Sequence, residues 1–330
     1  MPFLSQWSGG LFGLRAEQAI GTRNAAVLGL PAGGAADIYR ASRQRPPAGE
    51  INLCGVAGCA GSSGRGWRTR RRSFFEGEWA CSTRCLQILV RTAVRRQMQG
   101  LADDAATTPH RHRVPLGLVL LAQGWITHAQ LQTALQAQRR GDAGRIGDCL
   151  IDAGAVTAEQ VVRGLGIQWN CPVLSLEGFS AAAMALVMPP MLAAESGLMP
   201  VRTAGRGVLY VGFEKEMNAS ALLALERMSG LRVEGGLLLS SQLAAARESL
   251  QGTDCVPVHR ALLPDVDAFS AAVVRLIEQR QPVSAKMVRM GDTYWLRLWL
   301  EAGARSGIGD LPAYKDDMED HLLSVGRRIY

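Results

Sequence analysis

Four cysteines in two close pairs are the first residues of this chain whose types and spacing can do chemistry. Cys54 and Cys59 bracket "CGVAGC", and Cys81 and Cys85 bracket "CSTRC". Thiolates are soft donors, and two pairs of them, each held in a short turn, suit the tetrahedral coordination of Zn2+. Gly55 and Gly58 ease the turn of the first pair. The stretch "RRSFFEGEWAC" reads as a β-hairpin delivering Cys81, and "CSTRC" opens a helix with Ser82 near its start. A knuckle, a hairpin and a helix-borne second pair make a treble-clef-like zinc ribbon. Four thiolates close the coordination sphere, so the zinc expected here is structural, with no open position for a substrate. Cys149, Cys171 and Cys255 stand alone and read as core residues.

A second set of residues recurs. "PLGLVLLAQGWITHAQLQTALQAQ" occupies positions 115–138, and "RIGDCLIDAGAVTAEQVVRGLGIQ" occupies 145–168, a shift of 30. Leu116 falls on Ile146, Gly117 on Gly147, Gly124 on Gly154, Leu131 on Val161, Leu135 on Leu165 and Gln138 on Gln168. Each copy reads as a helical hairpin. Its first helix stops at a glycine, which tolerates the left-handed conformation of a C-terminal cap. Its second helix opens on a capping box, Thr127 with Gln130 and Thr157 with Gln160. Apolar residues four apart, Leu131/Leu135 and Val161/Leu165, supply a buried stripe, and two such hairpins bury their stripes against each other.

This pattern, an Arg before the first helix, glycines at fixed places and a closing Gln, resembles the N-terminal domain of the ATPases of type II secretion and type IV pilus assembly. The resemblance extends over residues ~114–250, because that domain also continues into a small α/β unit. It implies docking onto cytoplasmic parts of an inner-membrane machinery. It also implies an alternative. In the cyclic di-GMP-binding branch of the family two such motifs in tandem hold the dinucleotide. The ligand-facing positions carried over are Arg145, Gly147, Gly154 and Gln168 in the second copy, and Leu116, Gly117, Gly124 and Gln138 in the first. Arg can stack on a guanine and pair with phosphate, glycine lets the backbone approach, and the Gln amide can both donate and accept. The first copy departs from the pattern, with Pro115 where the second has Arg145.

Other function classes lose support. The chain has three lysines, Lys215, Lys286 and Lys315, and none follows a glycine, so these 330 residues contain no P-loop and no motor. They contain no G-x-S-x-G, no H-E-x-x-H and no dinucleotide-binding glycine motif. The expectation is a non-enzymatic protein. A net charge of +7 makes anionic partners conceivable, but the basic set is almost all arginine and fits a compositional bias. Arg65, Arg68, Arg70, Arg71 and Arg72, with Trp67 and Phe74 among them, could contact nucleic-acid phosphates or simply form an exposed basic hairpin face. No stretch reaches the ~18–20 apolar residues of a membrane span, and the start lacks the features of a signal peptide. A cytoplasmic location is therefore expected.

The elements that hold these residues are expected to form an α+β protein. Residues 1–50 read as a poorly ordered tail. Residues 51–99 form the zinc-ribbon-like module with a basic helix, and 100–113 a linker. Residues 114–250 form the secretion-ATPase-like domain: tandem helical hairpins over 114–170 and a small α/β unit over 171–250. Residues 251–330 add a helix, "DVDAFSAAVVRLIEQRQ", and a hairpin turning at Gly291 and Asp292. The acidic run at 316–320, "DDMED", reads as a solvated face. The functional expectation is an adaptor or regulator docking onto a protein partner, with a cyclic di-GMP sensor and a zinc-ribbon nucleic-acid binder as alternatives.

Overall fold

The computed structural model describes residues 54–59, 73–106, 113–140, 144–205, 207–215, 217–301, 311 and 314–326. The expected tail at 1–50 and Arg65, Arg68, Arg70, Arg71 and Arg72 lie outside these residues.

Strands β1 (Ser73–Phe75) and β2 (Glu78–Ala80) pair antiparallel. Their two-residue turn, Glu76 and Gly77, has φ of 50° and 90°, the positive values a tight hairpin needs. Helix α1 (Thr83–Ala106) follows. It runs seven residues into the stretch read as a linker from 100, because that stretch holds no proline and a single glycine, Gly100. Ser82 starts it as an N-cap, its Oγ accepting the Cys85 N–H at 3.3 Å.

The doubled phrase folds as four helices: α2 (Leu116–Ala122), α3 (His128–Arg139), α4 (Ile146–Asp152) and α5 (Ala158–Trp169). Leu116, Leu120, Ile126 and Leu131 of the first hairpin pack on Leu150, Val156 and Val161 of the second in one core. Leu135 departs from the expected stripe and stays 37% exposed, whereas its counterpart Leu165 is half-buried. Helices α6 (Ala181–Val187) and α7 (Pro190–Ser196) come next, followed by β3 (Met199–Ala204), β4 (Val208–Phe213), α8 (Ala219–Ser229), β5 (Arg232–Leu237) and α9 (Ser240–Gln251). The three strands lie in the order β3-β4-β5, β3 antiparallel and β5 parallel to β4.

A second, four-stranded sheet ends the chain. It contains β6 (Val258–Leu263), β7 (Ser284–Met290), β8 (Thr293–Trp299) and β9 (Met318–Val325), with α10 (Val266–Arg280) between β6 and β7. The order is β6-β9-β8-β7, so the last strand inserts between the first and the third. One face packs under α10 and α1: Leu86, Val90 and Val94 of α1 share a core with Phe269, Val273 and Ile277 of α10 and with Met287, Leu296 and Leu298 of the sheet. The other face gives Trp295, Trp299, Met318 and Leu322 to the core of the α/β unit. The backbone N–H of Glu76 also donates to Ala285 O at 2.7 Å. The cysteine module and the C-terminal segment, far apart in sequence, are thus one packed body.

Within β9 the acidic run is not a solvated face. Asp320 is fully buried and Glu319 is 8% exposed, because alternate residues of this central strand point into the two cores.

Candidate functional site

The four cysteines expected to act together do meet. Cys54 pairs with β2 through an isolated parallel bridge to Trp79, and Gly55 N–H donates to Trp79 O at 2.8 Å. A side chain on Gly55 would meet Glu78 Cβ at 2.6 Å, so the close approach of this knuckle to the hairpin requires glycine. Hairpin and helix then bring Cys81 and Cys85 to the same point. The Sγ separations are 3.4 Å for Cys59–Cys81, 3.6 Å for Cys59–Cys85 and 3.5 Å for Cys81–Cys85. All four sulfurs lie within 4.8 Å of one another. A tetrahedral ion with bonds of ~2.3 Å holds its sulfurs slightly under ~4 Å apart. Such crowding is hard on thiols alone. Hydrogen bonding to Cys59, then Cys85, pushes Cys81 up to about 12. Burial raises Cys54, but the Val56 and Cys81 backbone N–H groups and the neighbouring thiols outweigh it and bring it to about 7. N–H groups aimed at sulfur are the second shell a metal thiolate uses.

Seven of the eight positions in the doubled phrase divide into three kinds. Leu116, Gly117 and Gly147 are buried packing residues. A Cβ on Gly117 would lie 2.6 Å from Leu131 Cδ1, and one on Gly147 would lie 3.0 Å from Val161 Cγ1. These glycines let the two helices of each hairpin close on each other. Gly124 and Gly154 are exposed, with φ of 69° and 63°, and they end α2 and α4. The capping boxes form as read: the Thr127 and Thr157 hydroxyls accept from the Gln130 and Gln160 N–H groups at 3.3 and 3.2 Å.

The two glutamines form a reciprocal latch. Gln138 Nε2 donates to Gly144 O at 3.2 Å, and Gln168 Nε2 donates to Val114 O at 2.7 Å. Val114 and Gly144 occupy equivalent places in the two copies. Each copy's last side chain therefore ties down the backbone that enters the other copy. Arg145 is the exception among the eight. It is exposed at the N-cap of α4, where its backbone N–H donates to Asp148 Oδ2 at 3.3 Å, and its guanidinium meets no carboxylate among the described residues. Its counterpart Pro115 caps α2 with φ −55°. Arg113 lies 5.4 Å over the Trp169 ring, and Trp169 stacks on Phe213 at 6.2 Å, so Arg113 is committed to the junction with the α/β unit.

Sequence reading missed a buried polar set in the second sheet. Arg297 and Asp320, both fully buried, form a two-pronged ion pair at 2.7 Å. On the opposite face His259 and His321 stack at 5.1 Å. The parallel pairing of β6 and β9 brings these histidines together. Nothing in their sequence spacing signals it.

Comparison with known proteins finds similarity to part of the chain. No family model matches. The bacteriophage adsorption protein B of Escherichia coli K12 is 30% identical over 130 residues, 39% of this chain and 17% of its own length. The bacteriophage N4 adsorption protein B of E. coli O157:H7 gives the same figures. The chain thus spans about a sixth of the curated relatives it matches. Among solved structures, MshE with cdg is 26% identical over 41% of this chain and 98% of its own, with a TM-score of 0.34. The N-terminal domain of XpsE is 15% identical over 41% of this chain and 92% of its own, with a TM-score of 0.29. No described helix is long and apolar enough to cross a membrane.

Proposed function

We propose that this chain is a non-enzymatic docking or regulatory protein, in which the tandem hairpins present a recognition surface and a structural zinc ion holds together the N-terminal module that packs on the C-terminal sheet. The observation that carries the docking reading is a set of apolar side chains left uncovered on adjoining pieces of α2, α5 and the strand-like entry to the α/β unit. Val114 is 58% exposed, Leu118 48%, Ile167 52% and Val173 40%. Gln168 ties Val114 to the end of α5, and a Cβ on Gly166 would touch Val173 Cγ2 at 3.1 Å, so Val114 and Val173 both lie against the last turn of α5, which carries Ile167. Large apolar side chains left exposed on neighbouring elements are what a protein partner covers. By resemblance the partner is cytoplasmic secretion or pilus machinery of the inner membrane.

The zinc part rests on the sulfur geometry. Cys54, Cys59, Cys81 and Cys85 would hold the ion. It would supply charge neutralisation to four thiolates and a cross-link between knuckle and helix, and no reaction.

The second reading, cyclic di-GMP sensing, is favoured by one observation: the exposed and unengaged Arg145 at a helix start. Against it, five of the eight carried-over positions already pack or latch within the protein. The nucleic-acid reading has no support among the described residues. The test is direct. If docking is right, Leu118→Asp with Ile167→Asp abolishes association with secretion or pilus components co-expressed with the protein, and Arg145→Ala does not. If sensing is right, calorimetry shows cyclic di-GMP binding that Arg145→Ala abolishes. Pro115→Arg then strengthens it by roughly tenfold, the effect of one added stacked arginine. Retained association in the Leu118/Ile167 double variant sinks the docking reading.

A further inference from the structure

The second sheet carries a pocket that the docking reading does not use. It is a depression of about 480 Å3 between the C-terminal half of α10 and the β6–β9 pair. Its polar lining is His259 of β6, His321 of β9, and Arg275, Gln279 and Arg280 of α10, over an apolar floor that includes Leu276 and Leu323.

Three features make this set unlike an ordinary solvated face. First, the two imidazoles are stacked at 5.1 Å on neighbouring strands, so charging both costs free energy unless an anion lies close by. Second, His321 is only 4% exposed, and its Nε2 and the Glu319 Oε2 that faces it each lack a good hydrogen bond, a costly state for buried polar atoms. Third, Arg275 is exposed at the pocket and pairs with no carboxylate among the described residues. No acid lines the pocket among the described residues, and Glu319 lies just behind the lining. Its Oε1 is held by Arg280 at 2.8 Å, and its Oε2 lies 3.5 Å from His321 Nε2, too far for a good hydrogen bond. With neutral imidazoles the formal charge of the set is two arginines less one glutamate, +1. With both protonated it is +3.

We propose that this pocket binds the phosphate group of a small molecule, with Arg275 and the His259–His321 pair as its principal donors. A tetrahedral oxyanion accepts from several directions at once, which suits a guanidinium, two ring N–H groups and the Gln279 amide around one opening. The apolar floor leaves room for the rest of a phosphate ester, since the opening is larger than a bare ion needs. Binding and protonation are linked: an anion beside the imidazoles favours their charged forms, so affinity rises as pH falls. The charged groups facing His321 are His259 from β6, Glu319 from its own strand and Arg275 and Arg280 from α10, with Asp320 on the reverse of the sheet. Burial first, and then His259, holds His321 below the ordinary histidine range, which leaves it room to respond.

The experiment uses the full chain with 13C-labelled histidine and sulfate as probe, since sulfate does not itself titrate between pH 5 and 8. The His259 and His321 ring signals should move on adding sulfate to about 20 mM, with the other histidines unmoved. The His321 midpoint should rise by about one pH unit, which corresponds to roughly tenfold tighter binding at the acid end. Arg275→Ala, at an exposed position that leaves the core intact, should remove the response. His321→Gln should leave weaker binding with a shallower pH dependence, since the His259 ring remains. Phosphate and a nucleoside monophosphate are then compared: tighter binding of the ester assigns the floor to its organic part, and equal binding assigns the pocket to the free oxyanion. Ring signals unmoved by sulfate at pH 5.5, or a response that survives Arg275→Ala, overturns the proposal.

Discussion

Arg297 and Asp320 face each other across the β8–β9 ladder and share two hydrogen bonds of 2.7 Å, each residue wholly removed from solvent. The pair is not isolated. Trp295 Nε1 donates to Asp320 Oδ1 at 2.7 Å, and Arg297 Nη1 reaches the Leu186 and Val187 carbonyls at the end of α6, at 3.0 and 3.2 Å. The guanidinium therefore neutralises an acid and also closes the C-terminal carbonyls of a helix from the neighbouring α/β unit. It joins the two sheets' layers through one satisfied polar network.

Removing one partner leaves a buried charge uncompensated. Asp320→Ala should cost about 3–5 kcal/mol, read as a lower urea midpoint with an unchanged slope. The paired replacement Arg297→Met with Asp320→Leu should recover much of that loss, because a well-packed apolar pair avoids the desolvation of two ions. A single variant as stable as the wild type would show that the network contributes nothing.

How far the sequence reached is clearest at this strand. The cysteine cluster, the capping boxes and the four helices of the repeat were legible because each is set by local spacing. Thr-x-x-Gln caps a helix wherever it starts one, and two cysteine pairs in short turns have few other uses. The hairpin turning at Gly291 and Asp292 was legible for the same reason. Strands β6 and β9 were not. "VHRALL" shows no alternation because β6 is an edge strand and its residues are mostly exposed or half-buried. "MEDHLLSV" hides a central strand under an acidic start, since Asp320 is buried only by virtue of an arginine on another strand. The stacking of His259 on His321 and the shared core of α1 with α10 are equally non-local. The glutamines were legible as repeated but not as latches, because their carbonyl partners lie in the turns that precede each copy.

The latch makes a prediction that separates support from ligand contact. Gln168→Ala should destabilise the hairpin pair by about 0.5–1.5 kcal/mol, the net value of one hydrogen bond. Gln138→Ala, with the longer bond, should cost no more. Amide exchange would show the loss as faster opening at residues 114–122. An unchanged exchange rate in the Gln168 variant would mean the bond at Val114 O is not formed in solution.

Metal removal should reach further than the cysteine module. The purified protein should carry about one zinc per chain, and Cys81→Ser should release it. Because α1 shares a core with α10 and the second sheet, chelation should expose the amides of β7 and α10 as well as those of β1 and β2. The hairpin core of α2–α5, which is a separate cluster, should stay protected. Loss confined to the cysteine module would show that the α1–α10 contact contributes little. Full zinc in the Cys81 variant would remove the four-thiolate site.

The buried histidine gives stability a direction with pH. Burial chiefly, and the nearby His259 ring second, lower the His321 value in the folded state, against the opposing pull of Glu319 and Asp320. As pH falls through the ordinary histidine range, near ~6.5, the unfolded chain takes up its proton first. The folded chain takes it up later. Over that interval the unfolded state binds more protons, so stability falls with falling pH and levels off once the folded value is passed. Urea midpoints measured between pH 8 and pH 5 in a buffer free of sulfate and phosphate should show this decline. His321→Gln should flatten it, because the amide takes up no proton in this range. Adding sulfate should oppose the decline in the wild type, since an anion in the pocket favours the charged ring, and should do so far less in Arg275→Ala. A decline of equal size in the His321 variant would assign the acid sensitivity to other groups.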